Sequence, residues 1–339
     1  MSGGARDGRP VGPFSAYPDE LLAGPATAFV ATQNLFAALT PEQRERAVLP
    51  IDSELRRNWS NLPSGITDFA RNGLRFGDLD DAQRVLGLRV LAAALGRRGY
   101  GLASDIVAAD RILGDTIEGP YIGWSDANYW LAFFGEPSTS EPWGLQFGGH
   151  HLAINLSYDD GQVVSASPGF FGIEPATFAL DEREFSPFDA LLDDAVAFAA
   201  ALPVDQLAAA AVGERPDEVF AGAQRDGFVP PIEGLSAALL DASRRDELLG
   251  LVAHFVRLQP PGAAARRLDE IESSMDQLRL VWLGGTNGAG ELYFRIQGPR
   301  LLVEFSTEGA VGADGGHYHA VYRDFELEYG GQLDRATGG

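Results

Sequence analysis

Apolar and polar residues recur with two different periods along the chain, and the change of period separates helical from strand-rich stretches. Thr40-Pro41-Glu42-Gln43 reads as an N-cap, a Pro at the first helical position and a capping-box Gln, ahead of Ala47, Val48 and Leu49. Asp80-Asp81-Ala82-Gln83 repeats that grammar before Val85, Leu88, Leu91, Ala92 and Leu95, which recur at helical spacing. This helix is expected to stop between Gly96 and Gly99, where glycine takes the left-handed conformation that closes a helix. Further starts are read at Leu202-Pro203-Val204-Asp205 and at Ser236, the latter capping a helix that runs to about Leu258.

Two stretches carry period two instead. Residues 145–158 are expected as one strand, turned at Asp159-Asp160-Gly161 into residues 162–166. The second stretch is an antiparallel meander through residues 279–282, 291–296, 301–306 and 317–322, with turns at residues 284–290 and at Gln297-Gly298-Pro299-Arg300. The glycine-rich residues 284–290 lack the Lys-Ser/Thr ending and following helix of a phosphate loop, so they read as a hairpin turn. The predicted fold is α+β: an antiparallel sheet packed by helices from the N-terminal half and the middle of the chain.

Composition narrows the chemistry. Without cysteine there is no thiolate nucleophile and no sulfur metal ligand, so any metal must use His, carboxylates or amides. The formal charge of −22 repels phosphate backbones and anionic lipid, which argues against nucleic acid or a membrane as partner and leaves a small-molecule substrate. No apolar run approaches the roughly 20 residues that span a bilayer, and the first residues lack a secretory h-region, so a cytoplasmic protein is expected. Residues 1–16, rich in Gly, Arg and Pro, are expected to be a disordered lead-in to a single unit over residues 17–339.

Four of the five histidines fall in two groups, His150-His151 and His317-Tyr318-His319, each within a strand-like segment. On a strand His317 and His319 project to one face, which suits two imidazoles converging on one ion. If residues 145–158 form one strand, His150 and His151 point oppositely; His151, on the face of Ala153, Asn155 and Ser157, is then the ligand. Glu304 lies among Leu301, Leu302, Val303 and Phe305, expected across from Tyr293, and needs a metal or a charge partner such as Arg295 or Arg323. The expected metal set is therefore His151, His317, His319 and Glu304, with Asn155, Arg323 or His150 orienting substrate. There is no G-x-S-x-G elbow to support a serine hydrolase.

Four segments together resemble the DUF3500 family over about residues 25–330: Trp59-Ser60-Asn61-Leu62-Pro63, residues 143–155 with Gly149-His150-His151-Leu152 and Asn155, residues 293–299, and residues 317–324. The resemblance implies that His150, His151, Asn155, His317, His319, Arg323 and Asp324 are functional positions, and it implies no activity. Family members commonly carry a leader and a proline-containing stretch after the Arg-Asp pair, and this sequence shows neither. The reading is a metal-dependent enzyme with copper or iron favoured and zinc or manganese permitted; oxidative chemistry is preferred to hydrolysis. A non-catalytic protein holding a metal or a small anion is the alternative.

Overall fold

The computed structural model describes residues 27–180, 182–309, 312 and 315–331; the expected lead-in of residues 1–16 lies outside them. The helices read at Thr40 and Asp80 begin where the sequence expects, and a further helix, not read from the sequence, precedes them. Helix α1 (Ala28–Ala38) is capped by Thr27, and α2 (Pro41–Ala47) by a capping box of Thr40 and Gln43. A second capping box, Asp80 with Gln83, opens α3 (Asp81–Gly114). Gly96 takes a positive φ of +70° but with ψ −176°, an extended kink and not the left-handed closure expected, and the chain re-enters the helix and continues to Gly114. The kink thus adds the half of α3 that carries Asp110, which the sequence reading had ended too early.

Strands β1 (Val48–Leu49) and β2 (Leu74–Arg75) and a single turn of helix, α4 (Gly119–Ile122), lead to the hairpins β3 (Tyr129–Phe134), β4 (Trp143–Gly149), β5 (Leu152–Asp159), β6 (Gln162–Ser165) and β7 (Gly169–Ile173). A small hairpin, β8 (Phe178–Leu180) and β9 (Arg183–Phe185), precedes α5 (Asp189–Ala200) and α6 (Val204–Ala210). After β10 (Leu235–Ser236), Ser236 caps only a short 3-10 turn, and Asp241 caps the following α7 (Ala242–Val256). Helix α8 (Pro261–Ser273) then precedes the meander β11 (Arg279–Leu283), β12 (Tyr293–Gln297), β13 (Leu301–Glu308) and β14 (His317–Asp324).

These strands form one 12-stranded sheet in the order β1-β3-β4-β5-β7-β14-β13-β12-β11-β10, with β2 on β3 and β6 on β5; only the β1–β3 pair is parallel. The turn at Asp160-Gly161 and the loop at residues 284–290 form as expected. Residues 145–158 do not form one strand: His150 and His151 are the turn of the β4–β5 hairpin, with Gly149 paired to Leu152. The meander register also differs, since Glu304 pairs with Arg295 and Tyr293 with Ser306.

Alternation gives the sheet two different faces. One carries Leu152, Ile154, Phe171, Ala320, Tyr322, Val303, Phe305 and Phe294, all in the main hydrophobic core with residues of α1, α3, α5, α7 and α8. The other carries buried polar residues, among them Gln146, Asn155, His317, His319, Arg323, Glu304, Ser306, Arg295 and Gln297. Irregular chain and short 3-10 turns, not α-helix, cover this polar face: a small second cluster joins Trp59, Val219, Ala221 and Tyr329 to Ala153, Phe170, Leu302 and Val321. No described helix is long and apolar enough to cross a membrane.

Candidate metal centre

Strand β14 supplies two imidazoles to the polar face, as the spacing of His317 and His319 requires, and their Nε2 atoms lie 2.9 Å apart. The third comes from the β4–β5 turn. His151 takes a left-handed φ of +57°, its N–H donating to the Asn61 carbonyl at 3.2 Å while its own carbonyl accepts from Gly172 N at 2.6 Å. Non-glycine residues rarely adopt this conformation, and here two backbone hydrogen bonds hold it. The turn delivers His151 Nε2 to 2.9 Å from His317 Nε2. All three side chains are buried, and their nitrogens fall within 4.8 Å of one another.

Protons alone account poorly for this cluster. A ring nitrogen holds one hydrogen or one lone pair, so His317 Nε2 can make one good hydrogen bond, whereas it has two imidazole nitrogens at 2.9 Å. An ion bonded to two imidazoles at about 2.1 Å each holds their nitrogens roughly 3.0 to 3.4 Å apart, close to what is seen. These buried His and carboxylate side chains are geometrically able to hold a metal ion.

The far sides of two rings face carboxylates. Glu308, the cross-strand partner of His317, places Oε1 3.2 Å from His319 Nδ1 and Oε2 3.8 Å from His317 Nδ1. Glu218 Oε2 lies 3.2 Å from His319 Nδ1 and remains 60% exposed, linking the cluster to solvent. Burial and the neighbouring imidazoles hold His151 well below the usual histidine pKa. Burial and His319 lower His317, against the opposing fields of Glu174 and Glu308. Burial would lower His319 too, but Glu218 and Glu308 outweigh it and raise this group to about 9. Two neutral imidazoles and one carboxylate-backed imidazole are a suitable donor set once a cation displaces the proton.

Behind His151 stands a second pair. His150 stacks on His151 with ring centroids 3.7 Å apart, and its Nδ1 lies 2.6 Å from Asp110 Oδ1 on α3. The Tyr129 hydroxyl, 2.8 Å from both Asp110 Oδ2 and the His150 carbonyl, donates to one of them and pins the group. The opposite-face argument therefore fails for this pair, because a turn, unlike a strand, lets adjacent side chains point together. Gly172 makes room for the rings: a Cβ there would sit 2.8 Å from His319 Cδ2 and 3.0 Å from His151 Cδ2.

The structure brings His150, His151, His317 and His319 together, but not the other expected site residues. Glu304 belongs to none of the potential ligand groups among the described residues. Its carboxylate accepts from the N–H groups of Phe220 and Ala221 at 3.0 and 2.8 Å and from the Tyr293 hydroxyl at 2.6 Å. Burial still raises its pKa despite these donors. Asn155 uses both ends of its amide, accepting from Gln146 and donating to the Pro168 carbonyl, each at 2.9 Å. Arg323 is engaged by Glu328 and by the Arg225 carbonyl. Asp324 projects to the opposite face, where Arg267 meets it at 2.9 Å.

Sequence reasoning missed Asp110, Gly172, Glu218 and Glu308. Only Glu308 had a signal: it alternates with Glu304 and Ser306, and hairpin register places it opposite His317.

The chain matches the model of a family described as protein of unknown function (DUF3500) over residues 24–331, nearly its whole length, and it belongs to that family. No curated protein and no solved structure matches it.

Proposed function

We propose that this DUF3500 member is a metal-dependent enzyme acting on a small molecule, with one first-row transition ion held by His151, His317 and His319. The observation that carries the reading is the meeting of three buried imidazole Nε2 atoms, with carboxylates behind His317 and His319. Hydrogen bonding from the outer ring nitrogen to a carboxylate is how proteins orient metal-binding histidines and strengthen them as donors. With Glu304 engaged elsewhere, the first coordination sphere is purely imidazole, which suits copper, iron or zinc better than manganese. A three-histidine set leaves at least one position for water or substrate.

Such an ion supplies Lewis acidity or, for copper and iron, one-electron redox change. This chain's own residues do the rest. Glu308 and Glu218 place negative charge on the far side of the His319 ring, and Gly172 keeps the space between the rings open. His150, held by Asp110, is the one substrate-orienting candidate of the three expected that touches the cluster. Asn155 and Arg323 instead tie down the irregular cover. Oxidative chemistry is preferred because a sphere of imidazoles suits redox-active copper or iron.

The test is exogenous ligand binding. Protein prepared without an affinity tag, stripped by chelator and reloaded with copper, is titrated with azide. A saturable charge-transfer band is expected, because an open coordination position admits a small anion. Full metal occupancy with no azide response would overturn the enzymatic reading and leave a protein that only holds its metal.

A further inference from the structure

On the opposite side of the sheet from the histidines, α3, α5 and α7 line a cleft, open to solvent, of about 440 Å³. Its walls are apolar and aromatic: Phe171, Phe188, Phe255, Leu258 and Ala320 line it. Its polar lining is Arg97, Arg98, Asp105 and His254. A second cleft, also about 440 Å³, shares both arginines and adds Arg257, with Pro261, Ala264 and Leu268 as apolar walls. Cavities of this size with apolar walls and a few convergent polar groups are the usual form of small-molecule sites.

The charge at this place runs against the rest of the molecule. In a chain of formal charge −22, adjacent arginines stand between two apolar clefts, and Arg257 is near enough to depress Arg98 further after burial has lowered it. Arg98 meets no carboxylate within ion-pair distance among the described residues. Its partner is a histidine: Arg98 Nη2 lies 2.9 Å from His254 Nδ1, while His254 Nε2 lies 2.7 Å from Asp194 Oδ2. Arg98 donates, so His254 Nδ1 is the accepting lone pair and Nε2 carries the hydrogen that Asp194 receives. Arg98 is therefore held by a ring nitrogen and not by a carboxylate, with Asp194, beyond that ring, acting on it as an opposing charge. Asp105 is the one carboxylate in the lining, and Arg183 supplies an opposing charge nearby.

Gly101 lies in the same lining, within the second half of α3, and a Cβ placed on it meets nothing within 4 Å. Glycine inside a helix costs about 1 kcal/mol relative to alanine. Here its absent side chain leaves open volume in a wall that any larger residue would partly fill.

We propose that this cleft binds a small amphipathic anion, an unbranched or ring-bearing apolar body with one carboxylate. The apolar body packs on Phe171, Phe188 and Phe255, and the carboxylate is received by Arg98. The site is distinct from the histidine centre, although Phe171 and Ala320 are the chain neighbours of Gly172 and His319.

Decanoate, kept below its micelle concentration, is the probe, followed by calorimetry on the full chain. Saturable binding near one per chain is expected, weakened about tenfold in Arg98→Gln through loss of a charge-assisted contact. It should be abolished in Gly101→Leu, whose side chain grows into open space and whose helix propensity exceeds that of glycine. Decan-1-ol should bind at least tenfold more weakly than decanoate. The proposal fails if wild type shows no saturable binding, if Gly101→Leu binds as wild type does, or if the alcohol binds as tightly as the carboxylate. Thermal melts of both variants confirm that loss of binding is not loss of fold. A Gly101→Leu variant that melts early is replaced by Gly101→Val, judged by the same outcomes.

Discussion

The two faces of the sheet are both buried, yet they are built from opposite materials. The helix-covered face is apolar, and the backbone groups of its helices are satisfied within the helices themselves. The other face lies under irregular chain, many of whose backbone groups find no regular ladder and are met by side chains of the sheet. Gln146 donates to the Arg56 carbonyl, Gln297 to the Pro230 carbonyl and Arg295 to that of Pro231, while Glu304 receives the amides of Phe220 and Ala221. Most buried polar residues here are thus explained by the cover. The three histidines stand apart because their Nε2 atoms meet at His317 and, among the described residues, bond no backbone group. A buried polar residue suggests chemistry only after the backbone's needs have been subtracted.

Mutations break this contrast in decreasing order. His317→Ala should reduce metal content from about one per chain to near zero, since it removes the ring that contacts both others; elemental analysis after chelation and reloading reads this. Gly172→Ala and Glu308→Gln should each weaken metal affinity by about 10- to 100-fold, one by crowding the rings and the other by removing the charge behind them. Competition with a chromophoric chelator measures both. Glu304→Gln should leave metal affinity unchanged but lower stability by about 1 to 3 kcal/mol in denaturant unfolding, because one of the two backbone N–H donors then faces an NH2 group that cannot accept. Equal metal loss in Glu304→Gln would place that carboxylate back in the centre.

The smallest effect lies on the helix side. Burial raises Asp105 to about 6, against the opposing charge of Arg183. A raised carboxyl pKa means the folded state binds the proton more tightly. The resulting penalty is absent below the unfolded value near 4, grows as pH rises through that value to 6, and is full above it. Asp105→Asn should therefore stabilise the protein at pH 7 by on the order of 1 kcal/mol, discounted for its partly exposed setting, and give no gain at pH 3.5. Thermal melts at both pH values check the sign.

Much of this was legible in the sequence. The i, i+2 spacing of His317 and His319, the two capping boxes and the Asp160-Gly161 turn are local signals, and local signals survive folding. The face of Asn155 was also readable, from the contrast between Ala153, Asn155, Ser157 and Leu152, Ile154, Leu156. The His150-His151 turn was not, because period-two alternation continues across it and His151 adopts a φ that turn statistics reserve mainly for Gly and Asn. Asp110 was hidden by the helix resuming after Gly96. Glu218 and Gly172 come from segments whose placement depends on the whole sheet order, so no local pattern reports them. Glu304 looked like a ligand because its burial was legible while its backbone partners, more than 80 residues away, were not.

X-ray absorption spectroscopy of the metal-loaded, untagged protein tests the central claim most directly. We expect a first shell of nitrogen donors at about 2.0 to 2.1 Å with the outer-shell scattering of about three imidazole rings. A shell dominated by oxygen, or one without imidazole scattering, would contradict a centre built from His151, His317 and His319.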